Sequence, residues 1–308
     1  MNRTRPVVLG TRGSKLALTQ ANASAASLRV AGLEVKVRVI KTTSEHHPET
    51  PLSAIDQRDV FTRQLDEALL RDEIDLAIHS AKDVPTEIPA GLILAAFTER
   101  HDPSDALASG RGYDVQGLPK GTVVATSSLR RRAQLLHRRP DLRVVEIRGN
   151  VDTRVRKMRE GEADALLLAR AGLLRLGLDV PHVVVSPEVM LPAVGQGALA
   201  VAMLEEHPLR ETVGEALNHE ETGRAVRAER ALLKALEGGC RVPVGALGGV
   251  EGSRVRLRGV VASPDGALVY RGEAEGEKPE EVGRRLARDL LDQGAAVVLG
   301  EIREVRSR

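Results

Sequence analysis

The sequence holds one cysteine in 308 residues, Cys240. That excludes an internal disulfide and any zinc site built on several cysteines. Tryptophan is absent, and there are only two phenylalanines and two tyrosines. Stacking platforms for single-stranded nucleic acid need more rings than that, so the cores must be aliphatic. Lysine is scarce as well: eight of the 45 basic residues are Lys and 37 are Arg. The formal net charge is only +2, which gives no general field for a nucleic acid. No run approaches the length of a membrane span, and the N-terminal "MNRTRPVVLGTRGS" has no signal-peptide apolar region. A cytoplasmic location is expected.

What is present is a rhythm. The length exceeds what one core serves, so two or three domains are expected. "RPVVLGTRGSKLALTQANASAASL" reads as strand, loop and helix, "LEVKVRVIKT" as a strand, "VFTRQLDEALLRDE" as a helix, and "IDLAIHSAKDVP" and "GLILAAFTER" as strands. This is βαβ order, which implies a mostly parallel sheet covered by helices. Residues 101–121, rich in Gly, Pro and Asp, read as a crossing between domains. The rhythm then restarts from "TVVATSS" through "HVVVSP". After "LPAVGQGALAVAM" it changes to two helices, three antiparallel strands with a Pro-Asp-Gly turn, and a closing amphipathic helix. The expected class is α/β: two lobes with mostly parallel sheets and a smaller α+β C-terminal domain.

Polar residues gather just after the predicted strands. They are Arg12 and Ser14; Ser80, Lys82 and Asp83; Thr126, Ser127, Ser128, Arg130 and Arg131; and Arg148, Asn150 and Arg154. Open α/β sheets bind ligands at the carboxyl ends of their strands, and the guanidinium fork suits planar oxyanions. Any one of these arginines also reads as a solvated surface charge. The loops together point to an anion site spread over two domains. Thr126 or Ser127 can cap the helix that follows, yet three arginines in its first turn oppose the helix dipole. A helix start that gathers carboxylates accounts for them.

Asp83 is the one carboxylate among the cationic loops of the first lobe. It reads either as an ion pair with Lys82 or a nearby Arg, or as a proton carrier and counter-ion to a transient cation. His79 reads as a packed strand-end residue. "EHHPE" has two adjacent histidines whose side chains diverge, so no metal is expected. Cys240 sits in "EGGCRVPVGA", as an idle thiol or as a point of attachment. A two-lobed anion-binding protein without chemistry remains the alternative.

At these residues the sequence resembles the porphobilinogen deaminase family. Seven stretches carry the resemblance in order: "GTRGSKLALTQA", "HSAKDVPTEIP", "ATSSLRRRAQL", "IRGNVDTR", "AGLLRLGL", "LPAVGQGALA" and "GGCRVPVGA". The resemblance implies three domains: residues 1–99 with 198–217, residues 103–194, and residues 222–308. The first two resemble the lobes of periplasmic binding proteins. It implies head-to-tail condensation of four porphobilinogen molecules, with loss of ammonia, into hydroxymethylbilane for haem and other tetrapyrrole biosynthesis. The chain would grow on a dipyrromethane cofactor held by a thioether to Cys240. Asp83 resembles the family's catalytic aspartate. The arginines above, with Arg175 and Gln196, resemble its cofactor- and substrate-binding set, and Ser14, Ser80, Lys82, Thr126, Ser127 and Ser128 resemble its additional donors to carboxylates. A monomer and a hand-over of product to uroporphyrinogen-III synthase are also implied. Two stretches depart from the family pattern. "AIDQRDVF" keeps Phe61 and puts Arg58 where a lysine is usual in the mobile loop, but lacks that loop's glycines. "RGNVDTR" places Asp152 between binding arginines, where a cap of the next helix, made with Thr153, is expected.

Overall fold

A computed structural model describes residues 5–41, 62–236 and 242–307, with side chains up to residue 302. The chain divides into two compact units, Met1–His101 with Ala198–Gly223, and Asp102–Gly197 with Arg224–Arg308.

The first unit is built on a five-stranded sheet in the order β2-β1-β3-β10-β4. Its strands are β1 (Val7–Thr11), β2 (Val35–Val39), β3 (Leu76–Ser80), β4 (Leu92–Phe97) and β10 (Leu199–Leu204). β1 runs parallel to β2 and β3, while β10 is antiparallel to both β3 and β4. Helix α1 (Lys15–Val30) starts at Ser14, whose Oγ accepts the Ala17 N–H at 3.2 Å. It buries Ala17, Ala21, Ala25 and Leu28, one stripe at helical spacing. That stripe and α6 (Arg210–Leu217) cover one face of the sheet, against Leu9, Leu76, Val201 and Met203. The other face is covered by Leu65 and Leu69 of α2 (Arg63–Leu70). Burial on both faces is why β1, β3 and β10 read as nearly continuous apolar runs, while the edge strand β2, Val-Lys-Val-Arg-Val, is largely exposed.

The second unit holds two sheets. One has the order β7-β6-β8-β5-β9, from β5 (Asp105–Ser109), β6 (Val123–Ala125), β7 (Arg143–Val145), β8 (Ala165–Ala169) and β9 (His182–Val185). β6 is parallel to β7 and β8, and β5 is antiparallel to β8 and β9. This repeats the arrangement of the first sheet, including the antiparallel strand in fourth place. Helices α3 (Leu129–Arg138), α4 (Val151–Arg159) and α5 (Arg170–Leu176) cover it, through Leu135 on one face and Val155 and Leu173 on the other.

Residues 101–121 are therefore more than a crossing, because they contain β5, all five of whose residues are buried. The small Ala and Ser side chains of "DALAS" hide a strand within a stretch of turn-forming residues.

The other sheet is antiparallel, β11 (Val244–Glu251), β12 (Arg254–Ala262) and β13 (Val269–Gly276). It packs with α7 (Glu220–Ala235) and α8 (Pro279–Leu290), and α9 (Ala296–Ser307) follows a kink at Gly294, whose φ is 115°. The closing helix expected from the sequence is thus two helices. The Pro-Asp-Gly turn joins β12 to β13 and docks on α3. Gly266 has φ +76°, and a Cβ there would lie 2.5 Å from the Ala133 carbonyl oxygen and 2.6 Å from the His137 nitrogen. Gly266→Ala should lower stability by about 3 kcal/mol, from backbone strain plus overpacking. The drop is read as the shift in thermal unfolding midpoint.

Candidate anion-binding and catalytic site

The carboxyl edge of the first sheet collects the predicted residues of that unit. β1 ends at Thr11 and leads to Arg12 and Ser14; β3 ends at Ser80 and leads into a 3-10 turn, Ala81–Asp83. The turn is pinned to the sheet, since Ala81 N–H donates to the Ala198 carbonyl at 3.0 Å. Asp83 Oδ2 lies 3.8 Å from Arg12 Nη2, with both side chains about a quarter exposed. This is longer than a hydrogen bond, so charge holds the pair and the carboxylate keeps accepting capacity. Ser80 Oγ accepts from Gln20 Nε2 at 3.1 Å, a partner the sequence did not suggest. Lys82 is half-buried beside them.

His79 is packed at this edge, as its strand-end position implied, but it is chemically unusual. Its side chain is buried and Nε2 has no hydrogen-bond partner among the described residues. Burial, and secondarily the Arg12 charge, push its pKa down from 6.5 to about 3. In the unfolded chain this imidazole takes a proton near pH 6.5. The stability it contributes is therefore full above that pH and falls as pH drops toward 3. His79→Leu removes the effect. The loss of unfolding free energy between pH 7 and pH 5 should be about 2 kcal/mol smaller in this variant than in the parent protein. Denaturant titrations at the two pH values check it.

The carboxyl edge of the larger sheet in the second unit collects the rest. Ser128 caps α3, accepting the Arg131 N–H at 3.4 Å, while Thr126 Oγ1 accepts the Ser128 N–H at 3.3 Å. The cap is thus one residue later than the sequence suggested. Ser127 is half-buried beside it. No acidic residue occupies the first turn of α3.

Arg130 and Arg131 turn inward, with side chains 5% and 7% exposed, and both meet Asp105. Arg130 Nη1 donates to Asp105 Oδ2 at 2.7 Å and to the Leu191 carbonyl at 2.6 Å; its Nη2 donates to Oδ1 at 3.2 Å. Arg131 Nε donates to Oδ1 at 2.9 Å. Gln196, 1% exposed, donates from Nε2 to the same Oδ1 at 2.9 Å and to the Pro103 carbonyl at 2.6 Å. Burial alone would raise the Asp105 carboxyl, but the two guanidinium charges outweigh it and hold the group well below the usual carboxylate range.

Elsewhere in this unit, Arg175 Nη2 donates to the Gly197 carbonyl at 2.6 Å, and burial lowers its pKa to about 10. It keeps its charge at neutral pH. Arg148 pairs with Glu146 at 3.1 Å, Arg154 Nε donates to the Gly149 carbonyl at 2.7 Å, and Asn150 is exposed at the cap position of α4 without a side-chain cap bond. Asp152 is not that cap. It lies in the first turn, where its Oδ1 accepts the Thr153 N–H at 2.9 Å and its charge suits the dipole. Cys240, Arg58 and Phe61 lie outside the described residues, as does "EHHPE". Among the described residues no group of three or more His, Cys, Asp or Glu is placed to hold a metal ion, and no helix is long and apolar enough to cross a membrane.

Sequence reasoning missed Asp105 and the Asp102–Arg170 ion pair beside it. Both acids lie in the stretch read as a crossing. The signal was the short run "DALA" directly after Asp-Pro-Ser.

Fold and site define a class: an α/β protein with two mostly parallel sheets, each carrying cationic side chains at its carboxyl edge, suited to ligands bearing several carboxylates. The comparisons with known proteins are more particular. The family model described as "Porphobilinogen deaminase, dipyromethane cofactor binding domain" matches residues 7–211, and that described as "Porphobilinogen deaminase, C-terminal domain" matches residues 224–292. A protein of Rubrobacter xylanophilus named porphobilinogen deaminase is 67% identical over 300 residues, covering 97% of this chain and 98% of its own. One of the same name from Syntrophomonas wolfei is 45% identical over 306 residues, covering 97% of this chain and 100% of its own. The chain belongs to the porphobilinogen deaminase family. Among solved structures, the second substrate binding domain of a putative amino acid ABC transporter from Streptococcus pneumoniae aligns with 75% of this chain and 94% of its own, at 13% identity and a TM-score of 0.42.

Proposed function

We propose that the protein condenses four porphobilinogen molecules head to tail into hydroxymethylbilane, releasing ammonia at each addition, on a dipyrromethane primer attached to Cys240. The observation that carries this reading is that the family's cofactor-binding model, residues 7–211, spans both cationic sheet edges. The residues present fit the group. Each pyrrole bears an acetate and a propionate; Arg12, Lys82, Arg148, Arg154 and Arg175 stand at the two sheet edges, and the Arg130–Arg131–Asp105 cluster at the start of α3 carries a net positive charge. Ser14, Ser80, Lys82, Thr126, Ser127, Ser128, Arg131, Arg148, Asn150, Arg154 and Arg175 would hold carboxylates of primer and substrate. Arg130 and Gln196 would support them through Asp105.

When bound, the dipyrromethane supplies the pyrrole terminus to which a new unit is added. This chain's residues bind, orient and neutralise. Asp83, with Oδ2 3.8 Å from Arg12 Nη2, stabilises the positive charge that develops as ammonia leaves and carries the proton released at the new bond. Arg12 holds that carboxylate in place. The reading also includes a division into residues 1–99 with 198–217, 103–194 and 222–308, supported by the three separate sheets. A monomer, a cytoplasmic location and hand-over of product to uroporphyrinogen-III synthase complete it.

Incubating the purified protein with porphobilinogen tests the activity. Ammonia and hydroxymethylbilane should appear in a ratio of about four to one. A protein that binds porphobilinogen but releases neither is an anion-binding protein, and the reading fails.

A further inference from the structure

Asp105 belongs to the antiparallel strand β5, whose first residue pairs with Ala169 at the carboxyl end of β8. The strand's reversed direction delivers a carboxylate to the edge where α3 begins. There it is shared unequally. Arg130 gives it both Nη groups, and its Nη1 is also held by the Leu191 carbonyl at 2.6 Å. Both of its Nη groups are committed, while its buried Nε has no hydrogen-bond partner among the described residues. Arg131 meets Oδ1 along one edge only, with Nε and Nη2 both at 2.9 Å. Its far end is held loosely, Nη1 to the Leu167 carbonyl at 3.3 Å and Nη2 to Gln196 Oε1 at 3.4 Å. Two guanidinium groups and one carboxylate leave one positive charge on the cluster, and Arg131 is the member whose far end has only long bonds to neutral acceptors.

We propose that Asp105 is a positioning residue for substrate recognition: it fixes the Nε–Nη2 edge of Arg131, so that the Nη1–Nη2 end exchanges two long bonds to neutral acceptors for a substrate carboxylate. A charge-assisted, two-pronged bond to that carboxylate is stronger than the 3.3 Å and 3.4 Å contacts it replaces. Holding the edge still is what makes the exchange directional, because less side-chain freedom is lost on binding. The inference rests on the reading above, in which Arg131 grips a carboxylate of porphobilinogen or of the growing chain.

The test separates positioning from packing. Asp105→Asn leaves two buried guanidinium groups without their counter-ion and should unfold at a markedly lower temperature. The double variant Asp105→Asn, Arg130→Met removes one charge of each sign and restores the original balance, so its thermal midpoint should return most of the way. Its KM for porphobilinogen should still stand at least tenfold above that of the parent protein, with kcat within about threefold. Asp105→Glu, which keeps the charge but displaces it by one methylene, should show the same KM rise with the fold retained. A wild-type KM in either the double variant or Asp105→Glu overturns the proposal, since a packing role predicts that KM follows stability. Arg131→Leu separates the two readings. An unchanged KM in that variant removes Arg131 from binding altogether. A raised KM there, with a normal KM in the double variant, removes only Asp105.

Discussion

Replacing Asp83 by Asn should lower kcat by at least a hundredfold while the fold and any covalent adduct persist. The substitution is nearly isosteric, and the carboxylate is about a quarter exposed, so no buried group loses its partner. The 3-10 turn that carries it is fixed by backbone, through Ala81 N–H and the Ala198 carbonyl at 3.0 Å, and the amide leaves that bond untouched. What disappears is the negative charge next to the developing cation and the capacity to carry its proton. Removing one preorganised electrostatic contact of this kind costs about 3–4 kcal/mol, two to three decades in rate. Steady-state release of ammonia gives kcat, and thermal unfolding reports the fold. A kcat within tenfold of the parent value, with an unchanged unfolding midpoint, removes Asp83 from the chemistry.

Cys240→Ser should abolish both the adduct and turnover. Protein from a host that makes haem should have an intact mass above the sequence mass by two linked pyrrole units, and an aldehyde reagent for pyrroles should colour it. The serine variant should show its bare sequence mass and no colour. The chain's single cysteine makes the experiment unambiguous. A thiol-alkylating reagent has one target, blocked in the loaded protein and open in any unloaded fraction. An unmodified mass in the parent protein would sink the thioether assignment whatever the activity.

The parts of the site legible from the residues alone, without the family resemblance that supplied Arg175, Gln196 and Cys240, share one property: they follow parallel strands. Arg12, Ser80, Thr126 and Arg148 each come directly after, or end, an apolar run whose direction brings its last residue to the ligand edge. Reading the polar residues that come after strands finds all of them. Asp105 is at that same edge for the opposite reason. It is the first residue of an antiparallel strand, so the rule looks at the wrong end of "DALAS". The strand is also short and made of small residues, so local propensity does not announce it. The inward turn of Arg130 and Arg131 was illegible for the same reason, because an arginine is read as exposed until its buried partner is known. His79 was placed correctly as a packed strand end. Its orphaned nitrogen depends on what surrounds it in space, which no local pattern records.

The paired use of β5 and β10 has a consequence for how the chain can be made. The first sheet takes its fourth strand from residues 199–204, after the whole of the second parallel sheet has passed in sequence. A nascent chain that has emerged only to the end of β4 has no partner for the facing edges of β3 and β4, which in the finished sheet both pair with β10. That lobe cannot close as it leaves the ribosome, although its residues come first. Its folding waits on about a hundred later residues, a long interval in which apolar strand edges are open to the wrong neighbours. The order of synthesis and the order of completion are therefore inverted. Of the two five-stranded sheets, the one that begins later, at β5, holds all its own strands by residue 185 and is free to finish first.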